Sequence, residues 1–134
     1  MKIRLLEYFF SSVSHTNRKL QVVKEIFNIF INRTIAYNYI HHIGLVTFDS
    51  DAKVAQRITH VLEDLRSAVL NIECYGLTAL WKALIIAERQ LSAYGSKYPR
   101  AKKRILALSD GENNIEPFSA QEICLKLQVL ALNR

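Results

Sequence analysis

Apolar and polar positions alternate along this chain with two different periods. Ile-Arg-Leu-Leu-Glu-Tyr-Phe-Phe at 3–10 is mostly apolar and aromatic, which predicts a first strand. Ser11–Asn17 is a polar loop of turn and cap formers. Leu20, Val23, Ile26, Phe27, Phe30 and Ile31 then recur at three- and four-residue spacing, with Lys19, Lys24 and Asn28 between them, which predicts a helix. Ile43–Phe48 reads as a second strand, β-branched and apolar. Asp49-Ser-Asp51 is a turn, and residues 53–58 alternate like an edge strand paired back as a hairpin. Thr59 is placed to cap a short helix containing Val61, Leu62, Leu65 and Val69.

After a loop at Glu73–Leu77, Thr78 opens a longer helix. Leu80, Trp81, Leu84, Ile85 and Leu91 form one side, Lys82, Glu88 and Arg89 lie elsewhere, and Tyr94-Gly95 and Pro99 end it. Arg104–Leu108 is a continuous apolar run of strand length, read as a central parallel strand buried on both faces. It stops abruptly at Ser109-Asp110-Gly111. Ser119-Ala-Gln-Glu122 is a capping box for a last helix through Ile123, Leu125, Leu127 and Val129. Strands alternating with helices predict an α/β sheet with right-handed crossovers.

Composition narrows this in a few places. Half the residues are hydrophobic, with six Tyr, six Phe and one Trp, enough for a packed core. No apolar run approaches the roughly 20 residues of a membrane span, and residues 1–7 make a poor signal peptide. The two cysteines, Cys74 and Cys124, form no framework and read as free thiols. The expected location is therefore intracellular, cytoplasmic first and nuclear second. Of the net charge of +6, much lies in Lys97–Arg104. That basic run has no stacking platform beside it, so it reads as a solvated loop and no nucleic-acid partner is expected.

Open α/β sheets hold ligands beyond the C-terminal ends of their strands. Three loops reach that edge: Ser11–Asn17, Gly76–Thr78 and Asp110-Gly111. They offer the hydroxyls of Ser12, Ser14 and Thr78 and the carboxylate of Asp110. An all-oxygen set of this kind suits a hard cation such as Mg²⁺. His41-His42 does not add to it, since neighbours in a strand point to opposite faces.

At these residues the chain resembles the von Willebrand factor A domain, the fold shared with integrin inserted domains. Gly76-Leu-Thr-Ala-Leu-Trp-Lys-Ala-Leu84 is similar to that family's Gly-x-Thr-Ala-Leu-x-x-Ala-Leu helix start. Residues 105–114 are similar to its strand ending in Ser-Asp-Gly-Glu-x-Asn, and Gly44–Phe48 to its second strand. The resemblance implies a Rossmann-like open α/β sheet, mostly parallel with one antiparallel edge hairpin strand, helices on both faces, and strand order 3-2-1-4. It implies one partial domain over residues 1–134, incomplete at the C-terminus, because the family's sheet normally continues with further strands. It also implies a non-enzymatic protein-interaction module in which a metal-ion-dependent adhesion site takes an acidic side chain from a protein partner.

By that resemblance, Ser12, Ser14 and Thr78 are candidate metal ligands for Mg²⁺ or Mn²⁺, and Asp110 is a ligand or holds a metal-bound water. Gly76, Leu77, Gly111 and Glu112 flank them as partner-contact candidates. The family's site begins Asp-x-Ser-x-Ser, and Phe10 stands at the aspartate position. Two carboxylates become one beside a dication. A loss of even about 3 kcal/mol weakens binding roughly a hundredfold, so any metal is expected to bind weakly. Two other readings stand beside this one: a metal-independent or non-functional fragment of the family, and a haloacid-dehalogenase-type phosphatase. The phosphatase reading rests on Asp49-Ser-Asp51 after a strand and on Asp110-Gly111. A dinucleotide-binding fold lacks its glycine fingerprint.

Overall fold

A computed structural model describes the backbone of residues 5–12, 17–73 and 79–109, and side chains in 20–73 and 79–108. Its elements run β1 (Leu5–Ser12), α1 (Asn17–Ala36), β2 (His41–Phe48), β3 (Ala52–Thr59), α2 (Leu62–Leu70), α3 (Leu80–Gly95) and β4 (Lys102–Ser109). The sheet order is β3-β2-β1-β4, as the resemblance implied. β1 runs parallel to both β2 and β4, and β3 returns antiparallel to β2. The predicted last helix, from Ser119, lies outside the described residues.

β2 is the strand around which the core divides. From His42 to Phe48 every residue is buried. Its side chains alternate between two layers, as strand geometry requires. Ile43 and Leu45 pack with Phe27 and Ile31 of α1 and Leu65 and Val69 of α2. Val46 and Phe48 pack with Ala83, Ala87 and Leu91 of α3. Helices thus lie on both faces of β2. The pairing with β3 shifts register at Ile43/Leu45 and Leu45/Val46, with Gly44 at the first irregularity.

α1 ends in a fully formed Schellman turn. Tyr39 N–H donates to Thr34 C=O at 3.0 Å and Asn38 N–H to Ile35 C=O at 3.1 Å. Asn38 adopts φ 52°, the left-handed conformation this motif needs and asparagine tolerates. α2 is tied to α1 by Arg66, which donates to Asn28, to Asn32 Oδ1 at 2.9 Å, and to Glu63 Oε2 at 3.0 Å on its own helix.

Several expectations are corrected. β1 extends to Ser12, so Ser11 and Ser12 belong to the strand and not to the loop; the backbone of Ser11 is in register with Thr47 and Leu108. α2 is capped at Val61 without a side-chain bond; the Thr59 hydroxyl instead accepts Val61 N–H at 3.0 Å. α3 begins at Leu80 with Ala79 as its N-cap, two residues after the predicted opener Thr78. Its buried stripe is Ala83, Ala87, Leu91 and Glu88, while Trp81 and Ile85 are only half-buried. Glu88 is 4% exposed, and its Oε1 accepts Ser92 Oγ–H at 2.6 Å. The run in β4 is not buried on both faces: Ile105 packs on the α3 layer, but Leu106 is 48% exposed. β4 is last in the strand order and, among the described residues, has a neighbour on one side alone.

Candidate functional site

Three chain segments lead to the C-terminal edge of the sheet. β1 ends at Ser12 and β4 at Ser109, and these two residues are in register with each other. β2 ends one step away at Phe48, followed by Asp49. The third segment is the start of α3. Ala79 N–H, at the N-cap, donates to the main-chain carbonyl of Asp49 at 2.8 Å. This bond holds the helix N-terminus against the end of β2, where unsatisfied N–H groups and the helix dipole favour negative charge.

Among the predicted ligands, Ser12 is seen as the last backbone position of β1. Ser14, Thr78 and Asp110 lie outside the described residues, as do Gly76, Leu77, Gly111 and Glu112. In the chain, Thr78 directly precedes the α3 cap and Asp110 directly follows β4. Phe10 occupies a β1 position in register with Val46 and Ala107, two residues inside the strand end. Among the described residues there is no group of three or more His, Cys, Asp or Glu placed to hold a metal ion.

The hairpin turn contributes structure that sequence reasoning did not assign to this edge. Asp49 Oδ1 accepts Asp51 N–H at 3.0 Å, and Asp49 N–H donates to Asp51 C=O at 2.8 Å. Asp51 accepts Ala52 N–H at 2.8 Å and pairs with Lys82 of α3. The Lys82 hydrogen bond, then the Ala52 N–H, hold the Asp51 carboxyl below its usual range. Both aspartates close the turn their pattern foretold, and in addition they brace α3, through the Asp49 carbonyl and the Asp51 carboxylate. Lys82 was the legible signal, one helical turn into α3 and facing the hairpin.

At the other end of the sheet the adjacent histidines part as strand geometry requires. His42 Nδ1 lies 2.8 Å from the Tyr94 hydroxyl, with Tyr98 edge-on at 4.9 Å. His41 faces α1, 6.1 Å from the Phe30 ring and 5.7 Å from Tyr39. Desolvation by burial lowers the His41 pKa below 6.5. No helix among the described residues is long and apolar enough to cross a membrane.

A family model, the von Willebrand factor type A domain, matches residues 11–112. The chain belongs to that family. It is similar to a probable bifunctional E2/E3 enzyme of Acanthamoeba polyphaga mimivirus, with 33% identity over 104 residues, 75% of this chain and 8% of that protein. Two solved structures share the fold. The vWF domain of the type V pili tip protein Mfa5 from Porphyromonas gingivalis aligns with a TM-score of 0.67 and 14% identity, covering 89% of this chain and 42% of that one. Proximal thread matrix protein 1 from the mussel byssus, with a zinc-occupied MIDAS motif, aligns with a TM-score of 0.71 and 20% identity, covering 96% and 35%. This von Willebrand factor A chain thus spans less than half of each of these proteins.

Proposed function

We propose that this chain is a protein-interaction module whose C-terminal sheet edge carries a weakened metal-ion-dependent adhesion site. The observation that supports it is the convergence of three chain segments: Ser12 and Ser109 in register, and the α3 cap bonded to the Asp49 carbonyl. Ser12 ends β1, Thr78 and Asp110 directly adjoin the α3 cap and β4, and Ser14 follows β1 two residues on. Hydroxyl and carboxylate oxygens are the donors a hard divalent cation takes. Bound there, Mg²⁺ or Mn²⁺ would supply a Lewis-acid position for a carboxylate from a partner protein. The zinc-occupied site of the mussel protein, in the same fold, lends this weight without fixing the ion.

Phe10 sets the strength. At an effective dielectric near 20, one carboxylate–dication contact at about 4 Å is worth several kcal/mol before desolvation. Its loss leaves Asp110 as the single acidic group of the set. Isothermal titration with Mn²⁺ tests the assignment: millimolar affinity is expected, abolished by Asp110→Ala. Unchanged Mn²⁺ affinity in Asp110→Ala places the ion elsewhere and defeats this reading.

We read the module as non-catalytic and intracellular. The mimiviral protein is named as an enzyme, but the matching stretch is a small part of it, which fits a recognition role beside a catalytic region elsewhere. The phosphatase alternative asks Asp49 to act as a nucleophile. Its carboxylate instead accepts the Asp51 N–H within the turn. Generic aryl phosphate should not be turned over; hydrolysis abolished by Asp49→Asn would restore that alternative.

A further inference from the structure

We propose that the concavity at the C-terminal end of α1, lined by Phe30, Arg33, Thr34, Tyr37, Tyr39 and His41, is a second docking site, for an acidic protein segment presenting an aromatic side chain beside a carboxylate. It lies at the start of β2, the opposite end of the sheet from Ser12, and owes nothing to a metal.

The shape comes from the Schellman turn. Asn38 in the left-handed conformation throws Tyr37 and Tyr39 to the same side, where they stack at 5.7 Å with 28° between ring planes. The rings continue as a tilted series, Tyr39 to His41 at 53° and His41 to Phe30 at 81°. Such angles make a cup and not a flat ladder. The open concavity measures about 350 Å³, at the lower end of the roughly 300–1,000 Å³ of ligand sites. Tyr37 and Tyr39 are 68% and 58% exposed, an unusual outlay of aromatic surface for a soluble turn. Tyrosines held this way give contact area at low entropic cost.

Charge selects the occupant. Arg33 is the cup's permanent charge, and no hydrogen bond or ion pair engages its side chain among the described residues. His41 is kept neutral by burial and adds a polar edge. In the sheet, Lys102 is in register with Leu5, which is in register with His41, so a second exposed cation stands on the same row. The whole chain carries +6. A methylammonium-type ligand, the usual guest of an aromatic cage, is repelled by Arg33. A carboxylate is attracted, and its bidentate fit to a guanidinium adds direction. Outside the cup, Val22, Ile26 and Ile29 are exposed on α1 at the spacing that leads along one stripe to Arg33. Apolar residues flanking the aromatic and carboxylate of that acidic segment can lie along the stripe, with the aromatic anchor in the cup.

The test is fluorescence anisotropy with the whole chain in EDTA. The probe is a short labelled peptide with Asp-Trp-Asp at its centre in a Gly/Ser background. Lys-Trp-Lys and Asp-Gly-Asp peptides and an oligouridine RNA serve as comparisons. Asp-Trp-Asp is expected to bind about tenfold more tightly than each of these, and Arg33→Glu to erase the difference. Equal binding of the comparisons, tighter binding of the RNA, a preference that survives Arg33→Glu, or no saturation at millimolar protein each overturns the proposal. Amide shift mapping on the unaltered protein guards against a misfolded variant: shifts should centre on Tyr37, Tyr39 and His41, and a centre elsewhere rejects the site.

Discussion

Asn38 is a single position on which local geometry depends. Its left-handed φ is needed for the 39→34 and 38→35 bonds that end α1. A β-branched side chain cannot adopt that conformation cheaply. Asn38→Val should cost about 1–2 kcal/mol in urea unfolding, whereas Asn38→Gly should be close to neutral. His41 makes a different kind of residue-scale statement. Burial depresses its folded pKa below the unfolded 6.5, so the unfolded chain binds the proton more readily. The His41 contribution is therefore fully present above about pH 6.5 and is lost as pH falls through the folded value. Stability measured at pH 7.5 and pH 5 should differ less in His41→Gln than in the parent; an unchanged difference would refute the assignment. Neither residue was legible as such. Asparagine after a helix is a frequent pattern, and which of the two adjacent histidines faces α1 is set by the register of β2 in the sheet, with His42 buried and His41 half-buried.

At the scale of elements, the alternation of apolar positions carried most of the information, and it failed where lateral position mattered. β2 and β4 both read as continuous apolar runs. β2 is covered on both faces by α1, α2 and α3, while Leu106 of β4 is half exposed. A one-dimensional pattern holds no strand order, so it cannot tell the second strand in the row from the last. Leu45→Ala, in the middle of β2, should destabilise by about 2–5 kcal/mol, and Leu106→Ala by about 0.5 kcal/mol or less. Comparable losses at the two positions in chemical denaturation would contradict the burial described. The helices show the same division. Leu91 was legible as core, but the small residues Ala83 and Ala87 are the ones that let α3 lie close on Val46 and Phe48, and Glu88, a residue read as polar, lies on the packed side with a hydrogen bond from Ser92.

At the scale of the molecule, family membership was readable from two motifs, one running into α3 and one running on from β4, because each joins a run of fixed residue types to an element whose apolar pattern is plain. The sheet order bears out that reading. The site is less legible: three of its four proposed ligands, Ser14, Thr78 and Asp110, lie outside the described residues, and its outstanding departure, Phe10, is a position in β1 where an aspartate would supply the second carboxylate. The proposed metal-ion-dependent adhesion site owes its weakness to Phe10. The most direct measurement is thermal unfolding of the chain and of Phe10→Asp, each with EDTA or with millimolar Mg²⁺. A ligand that binds only the folded state raises the midpoint by mass action, by about 2.7 kcal/mol of stability at a hundred times its dissociation constant. A shift of several degrees is expected in Phe10→Asp and a small one or none in the parent. A cooperative transition in both proteins with no metal response in Phe10→Asp would contradict it.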